Sequence, residues 1–285
     1  MSDQQKETNV PGENQSAGKS NTESPLDIGI ESLILIDEHE EEISVDGKTV
    51  RRRGIYLLPN LFTTAALFSG FYAVISGMNG KFEAAAVAIF IAMIFDGLDG
   101  RVARLTNTQS KFGAEYDSLA DMVSFGVTPA LVMFSWGLSA LGKFGWTCAF
   151  IYVACAALRL AKFNTQIGLA DKNYFSGLAS PAAAAVIAGG IWVCHDEGWI
   201  GSQVNLELAI IGACLTALVG FLMILNVPYS SFKGLDLKGR VPFVVMIAVV
   251  VVFGLVQLDP ARVLLGVALT YALSGPFMAL YKKLK

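Results

Sequence analysis

Long apolar stretches separated by short polar connections dominate the chain from about residue 55 onward. Several reach the roughly 20 residues that a helix needs to cross a hydrocarbon layer about 30 Å thick, and in lipid their backbone groups must pair within the helix. The pattern predicts eight helices, at residues 55–78, 82–99, 117–137, 144–163, 178–195, 206–226, 241–257 and 260–281. We therefore predict an all-α, polytopic transmembrane helical bundle. The composition, 54% hydrophobic with a mean hydropathy of +0.54, excludes an ordinary soluble globular protein.

The first 50 residues differ from the rest in charge and composition. They hold 12 acidic and 3 basic residues, whereas residues 51–285 hold 12 acidic and 18 basic residues. Up to about residue 27 the chain is polar and cannot bury enough apolar surface to fold, so we expect disorder. Near the end of this tail, the "DG" between β-favouring residues predicts a small hairpin, with a helix on the membrane surface as the alternative. We expect an acidic, largely disordered cytoplasmic tail (1–50) before a transmembrane domain (51–285).

The distribution of lysine and arginine predicts the orientation of the helices. With a cytoplasmic N-terminus, 15 of the 18 basic residues after residue 50 fall on the cytoplasmic side. Lys81, Lys143 and Arg262 fall on the other side. Because cytoplasmic connections of membrane proteins are enriched in basic residues, both termini are expected in the cytoplasm.

An unusually charged stretch, "DGLDGRVARLTNTQSKFGAEYDSLAD" (96–121), lies between the second and third predicted helices. At 3.6 residues per turn, Asp96, Asp99, Gly100, Ala103 and Arg104 share one helix face about 140° wide. Two carboxylates and a guanidinium therefore lie beside two very small residues. The small residues leave room for a bulky group to approach the backbone.

The following helix repeats this arrangement. Gly113, Asp117, Asp121 and Ser124 share one face at the same periodicity. The connection between the two helices is short, so they are expected to be adjacent and antiparallel, with their acidic faces meeting. The two faces together would bring four carboxylates into one small space at the cytoplasmic rim.

Four carboxylates this close would repel one another unless a cation or protons were present. Ligation by oxygen alone suits Mg²⁺ or Mn²⁺, and two ions about 4 Å apart would suit phosphoryl transfer. Carboxylates are costly near a bilayer and so favour a functional interpretation. A divalent-cation transport site and a solvated loop are the alternatives that spacing alone leaves open.

The full motif, D-x-x-D-G-x-x-A-R, eight further residues, and G-x-x-x-D-x-x-x-D, resembles the signature of the CDP-alcohol phosphatidyltransferase family at every fixed position. Further stretches resemble the bacterial integral-membrane members of this family that use L-serine. They are residues 51–73, 115–134, "CAALRLAKFNTQ" (155–166) and "YFSGLASPAAAA" (174–185). The resemblance covers about residues 51–235. It departs at Lys162, where Arg is expected, and at Ala179, where Pro is expected.

The resemblance implies transfer of the phosphatidyl group of CDP-diacylglycerol to the hydroxyl of L-serine, giving phosphatidylserine and CMP. Asp121 would be the general base. The implied ligands of two Mg²⁺ or Mn²⁺ ions are Asp96, Asp99, Asp117 and Asp121. The implied CDP-diacylglycerol-binding residues are Asp99, Gly100, Ala103, Arg104, Ser110 and Gly113. Asn60 and Thr63, near the cytoplasmic end of the first helix, are candidates for lining the lipid or nucleotide entrance.

The acceptor pocket is expected at the cytoplasmic end of the fourth helix. Arg159, Lys162 and Asn164 lie there and could bind the carboxylate of serine. Lys keeps the charge of the expected Arg but lacks its planar fork. A related transferase acting on glycerol 3-phosphate, inositol phosphate or choline is the alternative within the family. We expect a homodimer in the bacterial inner membrane with a cytoplasmic active site and no nucleic-acid partner.

Overall fold

The computed structural model describes residues 42–45, 48–51, 57–106, 108, 110–165, 174–201, 204–230 and 243–284. The chain forms two compact units, Met1–Arg53 and Gly54–Lys285. In the first unit, β1 (Glu42–Val45) pairs antiparallel with β2 (Lys48–Arg51), with Val45 opposite Lys48. This confirms the predicted hairpin. The predicted disorder of the preceding tail falls outside the described residues.

The second unit contains eight helical rods among its described residues. They are α1 (Leu57–Met78), α2 (Phe82–Leu105), a rod made of α3 (Lys111–Asp121), a π-helical segment (Met122–Val127) and α4 (Thr128–Trp136), then α5 (Lys143–Thr165), α6 (Ser180–Asp196), α7 (Leu206–Ile224), α8 (Phe243–Leu258) and α9 (Pro260–Leu284). A short 3-10 turn, Leu138–Leu141, precedes α5. The predicted helical bundle is confirmed. The third rod begins six residues earlier than predicted, because Ser110 caps it ahead of the apolar stretch.

Five of the described helices are long and apolar enough to cross a bilayer, at residues 58–78, 112–136, 143–165, 206–224 and 260–281. The other three predicted spans are also helical but differ from these. Helix α2 ends in the charged motif, α6 has 17 residues and α8 has 16. The chain is an integral membrane protein.

Helix α6 is largely enclosed by other helices, which explains why its sequence is rich in small residues. Residues 183–188 and Ile191 are buried, and Gly189 packs directly against Leu265 of α9. Small side chains let helices approach closely in membranes, where apolar burial alone does not drive association. Buried alanines on α2 (Ala85, Ala88, Ala92) serve the same purpose.

A second pair of short strands, which the hydrophobic pattern did not predict, lies between the helices. β3 (Tyr174–Ser176) pairs antiparallel with β4 (Pro228–Ser230), with Phe175 opposite Tyr229. The Tyr229 side chain is fully buried, and its hydroxyl donates to the Ala272 carbonyl of α9 at 2.9 Å. The pairing therefore ties the segments before α6 and after α7 to the last helix.

Candidate active site

The carboxylates of α2 and α3 meet as their periodicity predicts. One oxygen each from Asp96, Asp99 and Asp117 lies within 4.8 Å of the other two. Helix α2 places the first two one turn apart, and the tight connection before α3 brings the third opposite them. The predicted convergence of these carboxylates is confirmed.

Asp121 extends this cluster by one helical turn. Its side chain lies close enough to that of Asp96 for the two carboxyl groups to interact. Two carboxylates this close repel each other unless a cation or a proton lies between them. Asp121 therefore belongs to the same carboxylate cluster.

Asp99 is fixed by a residue of α1. Thr63 donates its hydroxyl hydrogen to Asp99 Oδ2 at 2.8 Å, and the same hydroxyl lies 3.3 Å from the Pro59 carbonyl. Thr63 is 3% exposed and Asp99 is 5% exposed. The structure places the Thr63 hydroxyl against a carboxylate, and its predicted place at the lipid or nucleotide entrance stays a prediction. The Thr63 hydroxyl orients Asp99 within the cluster.

The cluster has the chemistry of a divalent-cation site. Asp117 Oδ1 is buried and has no hydrogen-bond partner among the described residues. A buried carboxylate oxygen without a donor is costly, and a cation would remove the cost. Three or four carboxylate oxygens form a hard ligand set of the kind that Mg²⁺ and Mn²⁺ prefer. The residues present therefore fit a divalent metal.

Open space lies beside the cluster on α2. A methyl group built on Gly100 would meet no other atom within 4 Å, and Gly100 is exposed. One turn further on, the exposed Arg104 donates from Nε to the Gly100 carbonyl at 2.8 Å. Ala103 lies between them and is half-buried. A guanidinium therefore lies at the rim of an open surface beside the carboxylates.

The start of α3 and the start of α1 lie close together. The Gly113 backbone N–H donates to Ser110 Oγ at 2.9 Å, so Ser110 caps the helix. A methyl group on Gly113 would lie 3.1 Å from that oxygen and 3.4 Å from Asn60 Oδ1. The structure thus brings together three predicted residues from two separate segments. Their role toward a liponucleotide stays a prediction.

The three residues predicted to bind serine have different partners. Arg159 donates from Nη1 to Ser180 Oγ of α6 at 2.7 Å and lies close enough to Asp121 to interact with it electrostatically. Ser180 is fully buried. Arg159 is therefore held near the carboxylate cluster by a residue that sequence reasoning did not single out, although the "GLASP" stretch contains it.

The other two residues of this group hold the end of α5 in place. Asn164 exchanges hydrogen bonds with Ser118 of α3 at 3.0 and 3.4 Å. Ser118 follows Asp117 directly in the sequence of that helix. Lys162 donates to Asn226 Oδ1, after α7, at 2.6 Å. Asn164 is thus linked to the helix that carries two of the carboxylates, and Lys162 to the connection before β4.

Comparison with known proteins bears on the same region. Residues 56–273 match the sequence profile of the CDP-alcohol phosphatidyltransferase family. A CDP-diacylglycerol–serine O-phosphatidyltransferase from Helicobacter pylori strain J99 is 36% identical over 219 residues, 77% of this chain and 90% of that protein. The enzyme of the same name from Mycobacterium bovis is 39% identical over 189 residues, 62% of this chain and 65% of that protein.

Among solved structures, the chain overlaps with Mycobacterium tuberculosis phosphatidylinositol phosphate synthase, crystallised with CDP-diacylglycerol bound. The two are 20% identical, and the overlap covers 59% of this chain and 79% of that one, with a TM-score of 0.40.

Proposed function

The chain belongs to the CDP-alcohol phosphatidyltransferase family, and we propose that it transfers the phosphatidyl group of CDP-diacylglycerol to the hydroxyl of L-serine. The products are phosphatidylserine and CMP. The observation that carries this proposal is the meeting of the α2 and α3 carboxylates inside the region that matches the family. The choice of serine is supported by relatives that carry this activity in their names and are 36–39% identical to the chain.

A divalent cation, Mg²⁺ or Mn²⁺, is the cofactor that we propose for this site. Asp96, Asp99, Asp117 and Asp121 would hold it, and four carboxylates are enough for two ions. When bound, the metal would neutralise the diphosphate of the substrate and stabilise charge on the departing CMP. The unpartnered Asp117 Oδ1 supports this assignment.

Asp121 is the general base of the proposed reaction. It accepts the hydroxyl proton of serine while the serine oxygen forms a bond to the phosphorus of the phosphatidyl group. The bond from that phosphorus to the CMP phosphate oxygen breaks, and CMP leaves with the electron pair. A carboxylate placed for this purpose contributes about 10²–10⁴-fold to the rate. The Arg159 guanidinium lies near this carboxylate, on the side assigned to the acceptor.

The nucleotide and acceptor sides of the site are assigned by position. The open surface at Gly100, bounded by Ala103 and Arg104, would accept the nucleotide, and Asn60, Ser110 and Gly113 would contact the rest of the liponucleotide. Arg159, oriented by Ser180, would bind the carboxylate of serine. Lys162 and Asn164 would complete this side by holding the end of α5.

The substrates indicate where the site works. CDP-diacylglycerol keeps its acyl chains in the leaflet, while serine and CMP are soluble. Together with the basic residues on the predicted cytoplasmic side, this supports an active site and both termini facing the cytoplasm of a bacterial inner membrane. The proposal includes a homodimer, as the family resemblance implies. The molecular mass of the purified protein in detergent would test the oligomeric state.

To test the proposed function, labelled alcohols are supplied to the purified protein in mixed micelles that contain CDP-diacylglycerol and Mg²⁺ or Mn²⁺. Labelled lipid and released CMP are measured. Serine should give labelled phosphatidylserine and one CMP per product, whereas glycerol 3-phosphate, inositol phosphate and choline should not. Product from another alcohol with none from serine would make the chain a related transferase. Ion flux in vesicles without lipid turnover would contradict the enzymatic proposal altogether.

A further inference from the structure

The π-helical segment Met122–Val127 begins directly after Asp121. The backbone N–H of Thr128 donates to the carbonyl of Val123, five residues earlier, which is the hydrogen-bond spacing of a π-helix. Such segments widen the helical turn and interrupt the regular backbone pairing, and they occur often at functional sites. Asp121 is therefore the last residue of α3, at the point where the regular helix passes into a segment of different shape.

Helix α1 holds the segment on one side. The buried Ser124 donates to the Ala66 carbonyl at 3.2 Å, and Thr128, which follows the segment, donates to the Gly70 carbonyl at 3.2 Å. A methyl group on Gly70 would lie 2.7 Å from Ser124 Oγ and 2.9 Å from Ser124 Cα. Helix α1 can approach Ser124 this closely only with glycine at position 70. A larger side chain would force the backbone of α1 or of the segment to move.

Helix α5 holds the segment on the other side. Tyr152 is fully buried, and its hydroxyl donates to the carbonyl of Phe125, in the middle of the segment, at 3.0 Å. Arg159 lies seven residues later on α5, which places it two turns along the same face. Helix α5 therefore contacts the segment that follows Asp121 and also carries the Arg159 guanidinium, which lies near the Asp121 carboxylate.

We propose that Tyr152 and Ser124 are positioning residues that lock the π-helical segment between α5 and α1 and thereby aim Asp121 at the acceptor. The proposal rests on the function proposed above, in which Asp121 takes the hydroxyl proton. Neither residue touches the carboxylates; both act through the segment. Because misplacement by about 1 Å can cost about 10²-fold in rate, releasing the segment should impair turnover more than substrate binding.

The first test is Tyr152→Phe, which removes a single hydroxyl. We expect kcat to fall by about tenfold or more, while KM for CDP-diacylglycerol stays within about twofold. Tyr229→Phe is the matched control, because Tyr229 is equally buried and also donates to a backbone carbonyl, at 2.9 Å, but outside the segment. A wild-type kcat for Tyr152→Phe, or equal losses in the two variants, would overturn the proposal.

The second test acts from α1. Gly70→Ala should displace Ser124 and lower kcat. Gly77→Ala, two turns along the same helix, would place its methyl group 3.1 and 3.3 Å from the Val132 side chain and 3.4 Å from the Val132 Cα, a looser fit. Gly77→Ala should therefore keep most of its activity. An equal loss in the two variants would mean that α1 packing in general, and not the segment, sets the rate, and the proposal would fail.

A third measurement reads the position of residue 121 without using activity. With Asp96→Cys and Asp121→Cys in the full-length protein in membranes, oxidation should link the two positions, and peptide mass spectrometry would identify the link. Adding Tyr152→Phe should lower the yield, while adding Tyr229→Phe should not. An unchanged yield with Tyr152→Phe would contradict the proposal. If the wild-type protein releases no CMP with any alcohol, the proposed function fails, but this measurement still decides the positioning role.

Discussion

Thr63 of α1 donates a 2.8 Å hydrogen bond to Asp99 of α2, and both side chains are more than nine-tenths buried. The two residues are 36 positions apart in the chain. Residues that donate to metal-ligating carboxylates orient the ligand and tune its affinity for the metal. The contact therefore links the first transmembrane helix to the proposed metal site.

Removing the Thr63 hydroxyl should weaken metal binding. Thr63→Val keeps the shape of the side chain but leaves Asp99 without its donor. We expect the apparent affinity for Mg²⁺ or Mn²⁺ to fall by about 10–100-fold, measured as the metal concentration for half-maximal CMP release. Thr64→Val is the matched control, since Thr64 is exposed and bonds to the Asn60 carbonyl and to Tyr116 instead. Equal metal dependence of the two variants would contradict the orienting role.

Asp121→Asn should abolish turnover while the protein remains folded and inserted. The amide cannot accept the serine proton, so we expect kcat to fall by about 10²–10⁴-fold. Labelled serine incorporation measures the rate, and size-exclusion chromatography in detergent monitors folding. If Asp121 is the general base, Asp117, which lies one turn earlier and is unchanged in this variant, should not restore proton transfer. A variant retaining most of its activity would require another base.

Arg159→Ala should affect the acceptor more than the lipid. If the guanidinium binds the serine carboxylate, KM for serine should rise by about tenfold or more, whereas KM for CDP-diacylglycerol should change little. Initial rates over both concentrations separate the two constants. Ser180→Ala, which removes the hydroxyl that Arg159 Nη1 contacts, should give the same pattern with a smaller effect. The opposite ranking of the two KM values would move Arg159 to the nucleotide side.

Gly100→Val should block the nucleotide without unfolding the helix. No atom lies within 4 Å of a methyl group at this position, so the substitution has space in the protein itself. We expect CMP release to fall by about tenfold or more, because valine would occupy the surface assigned to the substrate. Gly266→Val on α9 is the control, as it is also exposed and meets no atom within 4 Å. Similar activities for the two variants would argue against nucleotide binding at Gly100.

Much of the site was predictable because its determinants are local. The carboxylates recur at helical spacing, and a short connection forces the two helices that carry them to be antiparallel neighbours. The hairpin at residues 42–51 was predictable for the same reason, because a two-residue turn decides its pairing. The tail before it and the roles of individual substrate-binding residues stay predictions.

Other features depend on contacts that no local pattern records. The π-helical segment interrupts a stretch that reads as a regular helix, and its carbonyl at Phe125 is satisfied by Tyr152, 27 residues later. The pairing of β3 with β4 joins segments more than 50 residues apart. Each of these depends on which helices become neighbours, and the hydrophobic pattern does not determine that order.

The sequence by itself determined that the chain is a bundle of membrane helices and that two adjacent helices carry facing carboxylates. These follow from hydrophobic length, charge bias and the 3.6-residue period, which act within single segments. Only the tertiary structure decided that Thr63 holds Asp99, that Ser180 holds Arg159, and that α1 and α5 clamp the segment after Asp121. Those contacts arise when buried hydroxyl groups must find partners in a packed interior, and their partners lie on whichever helices pack beside them.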